Sequence, residues 1–224
     1  LYKSFEDISD LKKGRVNIGL TPSKANNPLP AILPVFKETY PGIELIITER
    51  NSSELEDMLM RGQVDVCLLN LPIKSKGIEY EPIIKENIYI AAPPDYNPPA
   101  YADTSEKYPQ LSINDIKDEQ FILLHSSQRL RQIADTVFND ENIKPKVLLE
   151  TSSIETSLRL SAAGMGFSFV PESAVRFAGL TNPPQYFKLP QDLNWTLVIA
   201  YREGAYKTKA VKAFSDIAKK VITE

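Results

Sequence analysis

The chain has 224 residues, 42% hydrophobic and 25% charged, with mean hydropathy of -0.24, enough to bury one large core or two modest ones. Its 26 basic and 29 acidic residues give a net charge of -3 without a basic cluster, which argues against nucleic-acid binding by these residues themselves. A single cysteine, Cys67, excludes an internal disulfide framework, and no run approaches the roughly 18 to 20 apolar residues that span a bilayer.

At the start, Leu1, Phe5, Ile8 and Leu11 recur at helical spacing, read as a short amphipathic helix, a linker tail or a disordered end. LYKSFEDISDLKK has neither a long apolar core nor a small-residue cleavage site and is not read as a signal peptide. From Gly14 to Pro72 the order is strand, helix, strand, helix, strand, with apolar runs at Val16 to Leu20, Leu45 to Ile47 and Val66 to Leu69. Such alternation predicts a parallel sheet, with ligands placed beyond the carboxyl ends of the strands. Thr21 to Lys24, Asn51 to Ser53 and Asn70 to Pro72 are therefore candidate pocket walls. Pro34 interrupts the first main helix pattern and removes one backbone hydrogen bond unless that helix starts late. Ser53 with Glu56 reads as a capping box, with Gly62 as the helix stop. Cys67, inside a strand run, reads as inert core.

After Ile88-Tyr89-Ile90 the text PPDYNPPAYADTSEKYPQ has no period and marks a loop where the chain leaves a first lobe. The alternation then resumes. Phe121 to Leu124 reads as a strand, and Leu130, Ile133, Ala134, Val137 and Phe138 share one helical face. Lys146 to Leu149 is the next strand, Ser152 with Glu155 a second capping box, and Gly164 the end of that helix. Phe167 to Val170, Tyr186-Phe187 and Trp195 to Tyr201 are further strands, and Ala210, Phe214, Ile217 and Val221 line a terminal helix.

Ile18-Gly19, Leu29-Pro30, Phe36, Tyr40-Pro41, Leu55, Leu59, Gly62, Asp65 and Pro72 resemble the effector-binding domain of LysR-type transcriptional regulators. The similarity continues through Phe121 to Leu124, Ala163-Gly164-Met165-Gly166 and Val170-Pro171, so it covers nearly the whole chain. It implies an α/β protein of two Rossmann-like lobes joined by a two-strand hinge, like type 2 periplasmic binding proteins. Residues 1–13 would be residual linker, 14–91 with 203–224 lobe I, and 92–202 lobe II, with hinges near 91–93 and 199–203. The chain departs from the family pattern at Asp95 to Ala100, where relatives tend to carry an aspartate, a histidine and Pro-Leu-Ala.

Hydroxyls recur at strand-to-helix turns in both halves, at Thr21, Ser23, Ser52, Ser53, Ser126, Ser127, Ser152 and Ser153. Each can cap its helix or donate to a ligand, and a cap is the default. The resemblance favours Thr21, Ser23, Asn70, Ser126 and Ser127 as cleft residues, with Pro22, Lys24, Ser52, Leu71, Pro72, His125 and Val170 completing the expected effector wall. Lys24, Arg50 and Arg129 are possible carboxylate partners. His125, the only histidine, stays open between cleft wall and plain loop residue. It makes no triad with its adjacent serines, and one His with one Cys is no zinc set, so neither catalytic nor metal-binding residues are expected, nor a cofactor. Gly164-Met165-Gly166 lacks the G-x-x-x-x-G-K pattern and follows a helix, so it reads as a turn.

The resemblance implies a bacterial, cytoplasmic sensor of a small polar or anionic metabolite, working as a homodimer or tetramer. DNA binding would belong to an N-terminal winged helix-turn-helix that these residues do not contain. A solute-binding protein of a transport system shares the fold and is the alternative; an enzyme on this architecture would need a convergent acid and base, which the residues do not supply.

Overall fold

The computed structural model describes residues 13–102, 105 and 107–224. The helical spacing seen from Leu1 to Leu11 lies outside the described residues. In chain order the elements are strand β1 (Gly14–Leu20), helices α1 (Pro22–Asn26) and α2 (Pro28–Thr39), β2 (Ile43–Glu49), α3 (Ser52–Met60), β3 (Val66–Asn70) and β4 (Ile78–Ala92). A short 3-10 turn (Ile113–Ile116) precedes β5 (Gln120–Leu124), α4 (Arg129–Asp140), β6 (Lys146–Thr151), α5 (Ile154–Ala162), β7 (Ser168–Pro171) and α6 (Glu172–Phe177). Strands β8 (Gln185–Phe187) and β9 (Asn194–Arg202) lead into α7 (Lys209–Thr223). The chain folds into two compact units, one of residues 1–85 with 196–224 and one of residues 86–195. The changeovers between these units fall at Lys85/Glu86 within β4 and Trp195/Thr196 within β9.

In the first unit the strands run in the order β2-β1-β3-β9-β4. The two β1 pairings are parallel, with Ile18 beside both Ile47 and Val66, as the alternation predicts. β9, whose direction the sequence leaves open, lies antiparallel to β3 with Leu69 opposite Val198. That strand arrives from the far end of the chain, so no βαβ crossover sets its direction. On one side, Val16, Ile18 and Leu20 join Phe36 of α2 and Phe214 of α7 in an apolar cluster, the two rings meeting edge-on at 5.9 Å. On the other, Leu55 and Leu59 of α3 pack with Cys67 and Leu69 of β3. Cys67 is core, as its strand position suggests, and burial pushes its thiol up to about 12. Helix α2 begins at Pro28, so Pro34 is well inside it and leaves the Pro30 carbonyl without the usual N–H donor.

The second unit mixes both strand directions. β5 and β6 are parallel, while β4 pairs antiparallel with β7 and β8. Phe121 packs edge-on against Phe138 at 5.0 Å, and the periodic face of α4 (Leu130, Ala134, Val137, Phe138) is buried as its spacing predicts. The loop where the chain departs from the family it resembles is anchored despite its composition. The Tyr96 ring stands edge-on to Phe167 and Phe187, and the Gln185 amide donates to the carbonyls of Pro94 (3.0 Å) and Tyr96 (2.6 Å). At the start of this unit the Trp195 indole N–H donates to the Glu86 carboxylate at 2.7 Å, with both side chains buried.

Both caps are displaced from where the sequence places them, and only the first forms a capping box. The first cap is Asn51, whose side chain accepts from the Glu54 N–H (3.0 Å) while the Glu54 carboxylate accepts from the Asn51 N–H (3.3 Å). The second is Ser153, accepting from Thr156 N–H at 3.1 Å. A cap needs extended backbone, and Asn51 and Ser153 have it (ψ 162° and 120°), which leaves Ser53 inside its helix and Ser152 before the cap of its own. Gly62 and Gly164 follow their helices with positive φ, as expected of helix stops.

Candidate functional site

Parallel pairing of β1 with β2 and β3 places Leu20 beside Glu49 and Leu68, so the segments that follow the three strands leave the sheet at the same end. This brings together Thr21 to Lys24, Asn51-Ser52 and Asn70 to Pro72 in the first unit, the edge at which open α/β sheets bind ligands.

Within that set the residues differ in what they have left to offer. Thr21 occupies the cap position of α1, yet its side chain makes no cap; its hydroxyl lies 3.3 Å from that of Ser23. Two half-buried hydroxyls thus remain uncommitted to the backbone of the turn. Pro22 takes the first helical position, where a missing N–H costs nothing. Lys24 is 2% exposed, contrary to the solvated lysine that its residue type suggests. Ser52 is half-buried in the first turn of α3, but Glu54 already occupies that helix start, which disfavours a further anion there. Asn70 ends β3, and its side-chain oxygen is buried without a hydrogen-bond donor. A buried acceptor left unpaired costs roughly 1 to 3 kcal/mol, and such atoms in native structures call for an explanation. A cis peptide follows at Leu71–Pro72, and Leu71 N–H donates to the Thr196 carbonyl at 2.9 Å.

Sequence reasoning missed what holds this loop. Glu56, 4% exposed, accepts from the backbone N–H groups of Lys74 (3.1 Å) and Ser75 (2.8 Å), and Gly77 accepts from Glu203 N–H at 2.8 Å. The only sequence signal was an acidic residue on the apolar side of α3. Asp65, in contrast, serves the opposite end of the strands, where its carboxylate accepts from the N–H and side-chain amide of Asn17 at 2.9 and 2.8 Å. Arg50 is exposed and donates to the Glu49 carbonyl.

In the second unit β5 ends in a turn, Gln128 N–H donating to the His125 carbonyl at 2.9 Å. His125, Ser126 and Ser127 are exposed in it. Neither serine caps α4; the cap residue is Gln128, whose amide turns away to accept from His125 N–H (3.1 Å) and donate to the Ser152 carbonyl (2.9 Å). The first turn of this 12-residue helix therefore has no side-chain cap from its N-cap residue and contains no acidic residue, which favours a negative charge beside Ser126 and Ser127. Arg129 begins the helix and donates to Gln132 at 3.2 Å.

His125 lies 3.8 Å from Glu150 with both side chains about half exposed, a weak pair in water. Glu150 is committed elsewhere: Arg131 donates to it at 2.5 Å, to Asp135 at 2.7 Å and to the Leu124 carbonyl at 2.8 Å. The Arg131 hydrogen bond, opposed by desolvation, holds the Glu150 carboxyl below its usual value. Arg131 and Gln128 are the residues that pin the end of β5 to that of β6, and neither stands out in the sequence. Val170, opposite Tyr89 on β7, is fully buried, so its side chain belongs to the core of this unit. The described residues contain no group of His, Cys, Asp and Glu able to hold a metal, and no helix long and apolar enough to cross a membrane.

The sequence profile of the LysR substrate binding domain matches residues 9–223. An uncharacterized HTH-type transcriptional regulator of Bacillus subtilis, YcgK, is 25% identical over 237 residues, covering all of this chain and 72% of the relative. The chain spans 56% to 72% of the length of the first three curated relatives it matches. Among solved structures, the CcmR regulatory domain of Synechocystis in complex with 2-PG superposes with a TM-score of 0.81 at 19% identity, over 93% of this chain and 97% of that one. A hydrogen peroxide-bound cysteine mutant of Corynebacterium glutamicum OxyR also gives 0.81, at 21% identity over 99% of this chain and 70% of that one. These likenesses show the two-lobe fold of LysR regulatory domains, and the profile match over nearly the whole chain shows that it belongs to the LysR substrate binding domain family.

Proposed function

We propose that the chain senses a small polar or anionic metabolite on behalf of a LysR-type regulator. Thr21, Ser23 and Asn70 of the first unit and Ser126 and Ser127 of the second supply the contacts. The observation that carries this reading is that the hydroxyls of Thr21, Ser126 and Ser127 sit at helix starts without capping them, the role that would otherwise account for them. The uncapped, acid-free start of α4 favours a carboxylate or phosphate at the second wall. A 2-PG complex of a domain of this fold supports an anion by analogy. An effector shifts the domain toward the state it binds better, to the extent of its differential affinity, and a homodimer or tetramer carries that bias to DNA-binding domains in the cytoplasm.

The test is a thermal-shift screen of the isolated chain against small carboxylates and phosphates. A true effector at 100 times its Kd stabilises by about 2.7 kcal/mol. Thr21→Val combined with Ser126→Ala should abolish that shift and, in the full-length regulator, induction. Failure of every compound to move the melting temperature, or intact induction in the double variant, overturns the proposal.

A further inference from the structure

A cavity of about 570 Å³ is lined only by residues between Asn87 and Leu193, so it belongs wholly to the second unit. Part of its lining is apolar, with Ile88 and Leu189 buried, and part is formed by Lys107, Tyr108, Gln110 and Lys188. Backbone bonds fix these segments to one another. Lys188 N–H donates to the Pro109 carbonyl and the Lys188 carbonyl accepts from Leu111 N–H, both at 2.9 Å, which sets Gln110 beside Lys188. Ile88 N–H donates to the Leu193 carbonyl at 2.9 Å. The Tyr108 ring stacks on that of Tyr89 at 4.3 Å, and the Lys107 ammonium lies over Tyr108 at 5.0 Å. A site whose segments are already held loses little ordering entropy on binding.

The polar groups of this lining favour negative charge. Lys107 and Lys188 are set against one lining carboxylate, Asp192, in a chain whose net charge is -3, and Glu172 is engaged by Asn87. The Asn87 amide also donates to the Tyr89 hydroxyl at 3.4 Å, so that oxygen is the acceptor and keeps its own proton to give. Burial, then the charge of Glu172, raises the Tyr89 phenol above its usual value of 10, so it stays protonated at neutral pH. The volume falls within the roughly 300 to 1,000 Å³ of small-molecule sites, so an anion held here has room for an organic body against Ile88, Leu189 and Leu193.

We propose that this cavity binds a small organic anion, a phosphate or carboxylate on an apolar body. Lys107 and Lys188 take the charged end, Tyr89 donates its hydroxyl proton, and Ile88 and Leu193 meet the body. The site shares no residue with the turns proposed as effector contacts and does not depend on what those bind.

Titration of the isotope-labelled chain with phenyl phosphate and with benzoate, followed by amide NMR, tests this. At least one of them should move the amides around Tyr89, Lys107 and Lys188 to saturation, and sodium chloride of equal ionic strength should not. Inorganic phosphate and acetate, which lack the body, should bind about tenfold more weakly than phenyl phosphate and benzoate, the worth of burying about 60 Å² of apolar surface. Lys107→Ala combined with Lys188→Ala, both exposed and safe for folding, should weaken binding about tenfold, the worth of one charge-assisted hydrogen bond. Lys117→Ala combined with Lys144→Ala removes the same charge at exposed positions outside the lining and should leave binding unchanged. The shifts should also persist in Thr21→Val with Ser126→Ala, which separates this site from the proposed effector contacts. Absence of a saturable shift with both compounds overturns the proposal. So do equal binding of the anions that lack the body, equal weakening by the two lysine pairs, or loss of the shifts in the Thr21 and Ser126 variant.

Discussion

Gly164 and Gly166, two residues apart, should respond to alanine very differently, and the contrast tests whether close backbone approach or left-handed conformation governs this turn. Gly164 has φ +80° with nothing within 4 Å of an added methyl, so alanine there costs only the conformational preference, about 1 kcal/mol. At Gly166 the added Cβ would sit 2.6 Å from the carbonyl oxygen of Gln120, well inside the 3.0 Å below which something must shift. The obstacle is backbone. That carbonyl accepts from Phe167 N–H at 2.8 Å, and the Phe167 carbonyl in turn accepts from Ile122 N–H at 2.8 Å, so moving β7 away from β5 weakens two bonds at once. Each is worth about 1 kcal/mol net, and strain from an added methyl in a packed interior typically adds about 1 to 3 kcal/mol. Gly166→Ala should therefore destabilise by about 3 to 5 kcal/mol, against about 1 kcal/mol for Gly164→Ala. Urea unfolding followed by circular dichroism measures both from the midpoint at constant slope. Equal losses in the two variants would refute the reasoning, because the clash at Gly166 would then have been relieved without cost.

Asn51→Ala should cost about 1 kcal/mol in the same assay, whereas Ser53→Ala should be nearly neutral, since Asn51 and not Ser53 caps α3. A loss confined to the Ser53 variant would reverse that assignment. The Glu81 carboxyl is held below its usual value of 4.5, chiefly by its hydrogen bond to Lys219. A lowered folded value means stability present above 4.5 and lost as pH falls through the lowered value. Lys219→Met should accordingly flatten the acid limb of the stability curve, lowering stability modestly above 4.5 and leaving it little changed below the lowered value, the pair being partly exposed. An acid limb of unchanged slope counts against the pairing.

The strand runs and helix faces were legible because burial imposes a period: Val66 to Leu69 and the Leu130 to Phe138 face are buried as the spacing demands. Direction was not. The antiparallel return of β9 onto β3 is a pairing between residues about 130 positions apart, and no local pattern encodes it. Cap positions slipped for a related reason. Polar residues stand side by side at Asn51-Ser52-Ser53 and at Ser152-Ser153, and which one takes extended backbone is decided by where the preceding strand ends.

The site was legible as a set of turns but not as a set of roles. Serine at a strand-to-helix turn carries the same letters whether it caps or not; only the cap at Gln128 frees Ser126 and Ser127, and only the uncapping geometry at Thr21 frees its hydroxyl. The residues that fix the walls are harder still to read. Glu56 reads as the capping-box partner of Ser53, and Arg131 as half of an i,i+4 pair, until the loop amides and the Leu124 carbonyl that they bind are in place. These partners come from segments that meet only after the strands have paired. The proposed wall is thus specified twice, by its polar turns and by the charged groups, Glu56 and Arg131, that hold them from behind. Substitutions at Glu56 should consequently alter the wall without touching a ligand.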